Sequence, residues 1–150
     1  MNLPSVIMLS SGGLFTGSVT MIAWNRVRAW RTMPDSEFRK DFIETIQVAD
    51  KLQPILLVIT LAATIWFTPN TSGISQIVAY ATTAVLAMIL VASLAILVPL
   101  QNHLIAAYSN KSPDTQSLQN LKLQWLTGHI GRSVISVIAL FLLIVAAATA

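Results

Sequence analysis

ISQIVAYATTAVLAMILVASLAILVPL, residues 74–100, runs for 27 positions without a charged side chain. A helix rises about 1.5 Å per residue and a bilayer's hydrocarbon layer is about 30 Å thick, so roughly 20 apolar residues span it. In lipid the backbone must satisfy its own polar groups, and an isolated segment does so only as a helix. Working outward, LPSVIMLSSGGLFTGSVTMIAW (3–24) is a second run of that kind, and the stretch from about residue 124 to 149 is a third. PILLVITLAATIWF (54–67) is too short alone. Its helix is expected to begin near Ile46, with Lys51 and Gln53 snorkelling toward the headgroups and Pro54 introducing a kink. The spans are therefore about 3–24, 46–68, 74–100 and 124–149, in one integral membrane domain covering 1–150.

Composition agrees. Of 150 residues, 55% are hydrophobic and 10% charged, and the mean hydropathy is +0.70. A soluble domain is typically about 25% charged. The absence of cysteine removes disulfides, thiol nucleophiles and thiolate metal ligands. The net charge is only +3, which gives no footing for nucleic acid. In a membrane chain, excess Lys and Arg reports topology.

Eleven of the fifteen charged residues lie between positions 26 and 51, and the rest are Lys111, Asp114, Lys122 and Arg132. The positive-inside rule places the charged loops, about 25–52 and 101–130, in the cytoplasm and both termini outside. The membrane is expected to be a bacterial cytoplasmic membrane. Within the first loop, Thr32 opens a T-x-x-D capping pattern. Phe38, Phe42 and Ile46 then recur every four residues. Acidic residues lead and Lys51 trails, as the helix dipole prefers. These features predict an amphipathic cytoplasmic interfacial helix that runs into the second span. The fold class is thus all-α, a four-helix transmembrane bundle with that interfacial helix between helices 1 and 2.

Helix 1 carries Gly13 and Gly17, a small-xxx-small spacing that lets two helix backbones approach in lipid. The expected role is helix packing, within the chain or against a partner. No internal repeat, HExxH, GxGxxG or P-loop occurs.

The polar residues of interest precede the last span, in QWLTGHIGR (124–132). Trp125, His129, Arg132 and Ser136 follow one another at spacings of four, three and four, on one helical face. An ionisable strip entering lipid should face the bundle interior. Helix 3 ends in VPLQNHL (98–104), which brings Asn102 and His103 to the same membrane face. The expected cluster uses His129 as a general base or acid and Arg132 to stabilise an oxyanion. Trp125 would stack on a flat substrate, with Asn102, His103 and Ser136 lining the site. The plain alternatives are an interfacial Trp anchor and a snorkelling Arg. Two histidines with Asp41, Glu44 or Asp50 could make a two-His-one-carboxylate metal site, but these groups lie on separate elements and their spacing does not demonstrate one. No metal is expected.

These residues resemble the anthrone-oxygenase-like family of small bacterial and fungal membrane proteins, most of which have no assigned function. GLFTGSVTMIAW and MPDSEF look like the family's first helix and its LPxAEF segment. VPLQNHLI is similar to VPLNxxL, and WLTGHIGR looks like W-x-x-x-H-x-x-R. Gln101 stands before the displaced Asn102, and Gly128 stands where an Asn often precedes the His. The resemblance implies a four-helix membrane bundle. It also implies oxidation of an anthrone- or quinone-like aromatic by O₂ as co-substrate, without metal or organic cofactor. Trp125, His129, Arg132 and Asn102 are the residues it points to. The rival reading is a non-catalytic accessory subunit of a larger membrane complex, with other subunits or a second copy as partners. A transporter finds little support, because no ionisable residue sits at mid-membrane level and no broken-helix pair is evident.

Overall fold

The computed structural model describes residues 2–109 and 115–150. Lys111, Asp114 and the side chain of Asp50, all named above, lie outside the described part. Four long helices are each apolar enough to cross a membrane. They are α1 (Leu3–Thr32), α2 (Asp35–Phe67), α3 (Gly73–Tyr108) and α4 (Thr115–Ala148). Among the described residues there is no strand. The chain is an integral membrane protein built as an all-α bundle. Each helix packs on its neighbour in sequence, and α4 closes the ring on α1.

The helices run well past the apolar spans at the charged end. The amphipathic stretch is the first part of α2, continuous with its membrane-spanning part. Its apolar face meets protein rather than headgroups: Phe38, Phe42 and Ile46 are buried against Trp30, Leu118 and Trp125. Thr32 does not cap it. That hydroxyl faces the Ala29 carbonyl at 3.4 Å, and Pro34 stands at the N-cap position. The carbonyl of Pro34 accepts from the amides of Glu37 and Phe38. Pro fixes its own φ and bars a continuing helix in the residue before it, so the break falls at Met33–Pro34.

The core has two parts. Toward the termini it is apolar, around Met8, Phe15, Leu57, Phe67, Leu86 and Leu143. Toward the charged end it is aromatic, with Trp30 edge-on to Phe38 and Phe42 at ring distances of 5.7 and 5.3 Å. Asp41 ties this end together, accepting from Trp30 Nε1 at 2.6 Å and from Arg26 at 2.8 Å. Lys122 is folded inward rather than reaching headgroups. Its ammonium lies 4.2 Å from the Phe38 ring centre and 3.7 Å from Asp35.

The small-residue contact in α1 is at Gly12. A β-carbon there would stand 2.7 Å from Leu143 Cδ1 and 3.2 Å from Thr60 Cγ2. At Gly13 and Gly17 it would meet nothing within 4 Å, so no described helix packs on those two glycines. The reason is phase. Met8, Ser11, Phe15 and Val19 turn inward, and Gly17 falls on the outer face.

Candidate functional site

Helix α2 points one residue inward about every 3.5 positions: Phe42, Ile46, Ala49, Gln53, Leu56, Thr60, Ala63 and Phe67 are all buried. Helix α4 does the same with Leu118, Lys122, Trp125, His129, Ser133 and Ser136. Where the two stripes face each other, polar groups meet across the bundle.

His129 is fully buried. Its Nε2 lies 3.3 Å from the Val19 carbonyl of α1, and its Nδ1 lies 3.0 Å from an Arg132 Nη2. A carbonyl only accepts and a guanidinium only donates. The partners therefore assign the proton to Nε2 and leave the Nδ1 lone pair to Arg132. The same Arg132 nitrogen donates to Gln53 Oε1 of α2 at 3.0 Å. Trp125 stacks on the His129 ring, with centroids 4.9 Å apart and planes at 14°. It also packs edge-on against Phe42 at 4.8 Å. The result is a chain running Trp125, His129, Arg132, Gln53 that, with the Val19 carbonyl, joins three helices.

Two π-helical turns flank this level: Ile22–Val27 in α1 and Ser93–Leu97 in α3. Such turns widen a helix locally and recur at functional sites. On the α1 side lies a cleft between α1 and α2 of about 570 Å³, lined in part by Ile22, Arg26, Asp41, Val48 and Gln53. On the α3 side a smaller groove of about 250 Å³ is lined by Ser93, Leu97, Gly128 and Arg132 among others. Gly128 leaves room for Leu97 there, since a β-carbon would stand 2.7 Å from Leu97 Cδ2 and that side chain would have to shift.

The strip expected from the sequence is thus assembled in part. Trp125, His129 and Arg132 are in mutual contact. Ser136 is buried one turn further on, donating to the Arg132 carbonyl at 2.8 Å. Its own carbonyl accepts from Thr16 of α1 at 3.2 Å, so it links helices. Asn102 and His103 are exposed and turn away from the bundle. The buried residue of that trio is Gln101, one position earlier on the helix and 100° round it. Gln53 does not snorkel, being 5% exposed and bonded to Arg132. It is the site residue the sequence analysis missed. Extending the Phe42–Ile46 register by alternating steps of three and four lands on it. Among the described residues no three His, Asp or Glu side chains converge.

A membrane-spanning four-helix bundle with a buried tryptophan, histidine and arginine strip is the class that fold and site define. The model of the anthrone oxygenase family matches residues 42–142, well over half of the chain, and the chain belongs to that family. No curated protein and no solved structure matches it. The match runs from Phe42 through both polar stripes and includes Gln53, Trp125, His129 and Arg132. It marks the chain as an oxygenase-like membrane protein.

Proposed function

We propose that this chain is a membrane oxygenase that oxidises a flat, lipid-soluble aromatic ketone of the anthrone type with O₂, using no metal or organic cofactor. The observation that carries the reading is the placement of Arg132. It is held by His129 Nδ1 and Gln53 Oε1, and Gln53 also lines the α1–α2 cleft. Family membership supports the same reaction class. The charged end would face the cytoplasm, as the Lys and Arg distribution favours.

The chemistry asks little of the protein. An anthrone's methylene C–H is acidic because its electron pair delocalises onto the carbonyl oxygen. A fixed cation near that oxygen lowers the anion's energy, and a preorganised donor of this kind is worth about 100- to 1,000-fold in rate. The proton passes to water reaching the cleft from its charged end, beside Asp41 and Glu44. The carbanion carbon reduces O₂ and forms a C–O bond, giving a hydroperoxide after protonation. Loss of the second methylene proton with cleavage of the O–O bond releases water and leaves a second carbonyl. Anthrone plus O₂ thus becomes anthraquinone plus water.

In this scheme His129 is a positioning residue. Both its nitrogens are engaged and its ring is covered by Trp125. The test is aerobic oxidation of anthrone by the protein in mild detergent, read against the spontaneous rate. His129→Ala and Arg132→Gln are both expected to abolish the excess rate, and unchanged turnover in His129→Ala sinks the assignment. A positioning His129 should be replaced in part by His129→Gln, whose amide can still donate toward Val19 or accept from Arg132 but cannot take up a proton; a proton-accepting His129 should not.

The open Gly13/Gly17 face favours a second reading, an accessory subunit that docks another membrane helix there. That reading predicts co-purification of another chain at fixed stoichiometry and no anthrone turnover.

A further inference from the structure

The α1–α2 cleft has a built inner end and an open side. Its rim residues Met21, Val48 and Leu52 are exposed apolar side chains on membrane-spanning helices, so the opening faces lipid. Its volume, about 570 Å³, falls within the range of roughly 300–1,000 Å³ that small-molecule pockets occupy. At one end the Arg26–Asp41 ion pair closes it at 2.8 Å, with Asn25, Glu44 and Thr45 nearby. Twelve residues further along α2, about 18 Å at helical rise, stands Gln53. It is the single buried polar side chain among those lining the cleft.

Gln53 is oriented. Arg132 can only donate, so the atom facing it must be the amide oxygen, and the amide nitrogen is directed elsewhere. That nitrogen is buried and finds no acceptor among the described residues. A buried donor without an acceptor costs free energy, and native structures seldom keep one without a reason. Pro54 follows directly and stiffens the backbone that carries it. The π-helical turn of α1 forms the facing wall with Ile22, Asn25 and Arg26.

We infer that this cleft is a ligand site entered sideways from the bilayer, and that the Gln53 amide donates to a carbonyl oxygen of the flat aromatic ketone or quinone bound there. The choice of ligand class rests on the oxygenase reading, whereas the site and its donor rest on the cleft alone. The specificity is for an oxygen acceptor at the buried end of an otherwise apolar body. Arg132 is not among the residues lining this cleft and is joined to it through Gln53.

The probes are 9,10-anthraquinone and anthracene, the same three rings with and without oxygen acceptors. Binding to the full chain in mild detergent is followed by quenching of tryptophan fluorescence above a micelle-only baseline. Wild type is expected to bind anthraquinone at least about tenfold more tightly than anthracene, the discrimination one well-placed hydrogen bond supplies. Gln53→Glu keeps an acceptor for Arg132 but removes the amide donor, and Gln53→Met removes both; each is expected to erase the preference. Val48→Trp fills the exposed rim and is expected to weaken both ligands about tenfold. Equal binding of the two probes by wild type overturns the inference, as does a preference that survives Gln53→Glu. Undiminished binding in Val48→Trp places the ligand elsewhere and overturns it too. Quinone preference without anthrone turnover would uphold the site and sink the oxygenase reading. Turnover indifferent to Gln53→Glu would do the reverse.

Discussion

The two ends of the bundle treat buried polarity differently. Toward the termini, the hydroxyls of Ser11, Thr64 and Thr82 donate to carbonyls four residues back on their own helices, each at 2.7 Å. Only short links cross between helices there, such as Thr60 to Ser11 at 2.9 Å and Ser75 to the Ala146 carbonyl at 2.7 Å. Toward the charged end, the polar groups are a ring, a guanidinium and an amide that reach other helices. They also leave work undone: the Gln53 amide nitrogen and the Trp125 indole N–H are buried without an acceptor among the described residues. A hydroxyl satisfied by its own backbone lets helices pack closely and demands nothing of its neighbours. A long polar side chain must find a partner across the bundle, so it fixes geometry. One end is built to hold the helices together, the other to hold a particular arrangement of donors.

Substitutions can separate the two ends. The largest expected effect is on activity at the charged end. Arg132→Gln should cost about 100- to 1,000-fold in anthrone oxidation, with the thermal midpoint in detergent little changed; a parallel collapse of the fold would make Arg132 a structural tie instead. Next is packing at the other end. Gly12→Leu drives a side chain into Leu143 and Thr60 and should destabilise the bundle by about 1–3 kcal/mol, while the folded fraction keeps its specific activity. This is measured by unfolding in mixed detergent beside a turnover assay. A gentler cut is Thr60→Val, which removes the link to Ser11. An average interhelical hydrogen bond in a membrane is worth about 0.6 kcal/mol, and no change in turnover is expected. The smallest effect is that of Gly17→Leu, which meets open space. It should leave monomer stability within about 0.5 kcal/mol. A clear shift in oligomeric state on size-exclusion chromatography would instead show that a partner helix uses that face.

Residues 74–100 and the charge map carried the four-helix architecture, because length and apolarity are written along the chain. The rotation of each helix is harder to read. In lipid both faces of a helix are apolar, so hydropathy does not mark the inward side. That is why Gly13 and Gly17 stood out in α1 while Gly12 makes the contact. Rotation was legible where polar or aromatic residues break the uniformity, as at Trp125–His129–Arg132 and Phe38–Phe42–Ile46. It failed at Asn102 and His103, where proximity to the right membrane face was taken for proximity to the site. The aromatic slot expected at Trp125 was not legible either. Spacing placed the indole on the polar strip but could not say that its face is spent on the His129 ring.

The histidine's anchor on α1 is a main-chain oxygen, the carbonyl of Val19, which also faces the Ser133 hydroxyl at 3.4 Å. No amino-acid replacement deletes a carbonyl. A saturation library would therefore see one end of this contact and be blind to the other. Position 129 should tolerate almost nothing, whereas position 19 should accept any side chain of fitting size. Inheritance would record the same asymmetry, with half of a two-sided contact leaving no trace in the code.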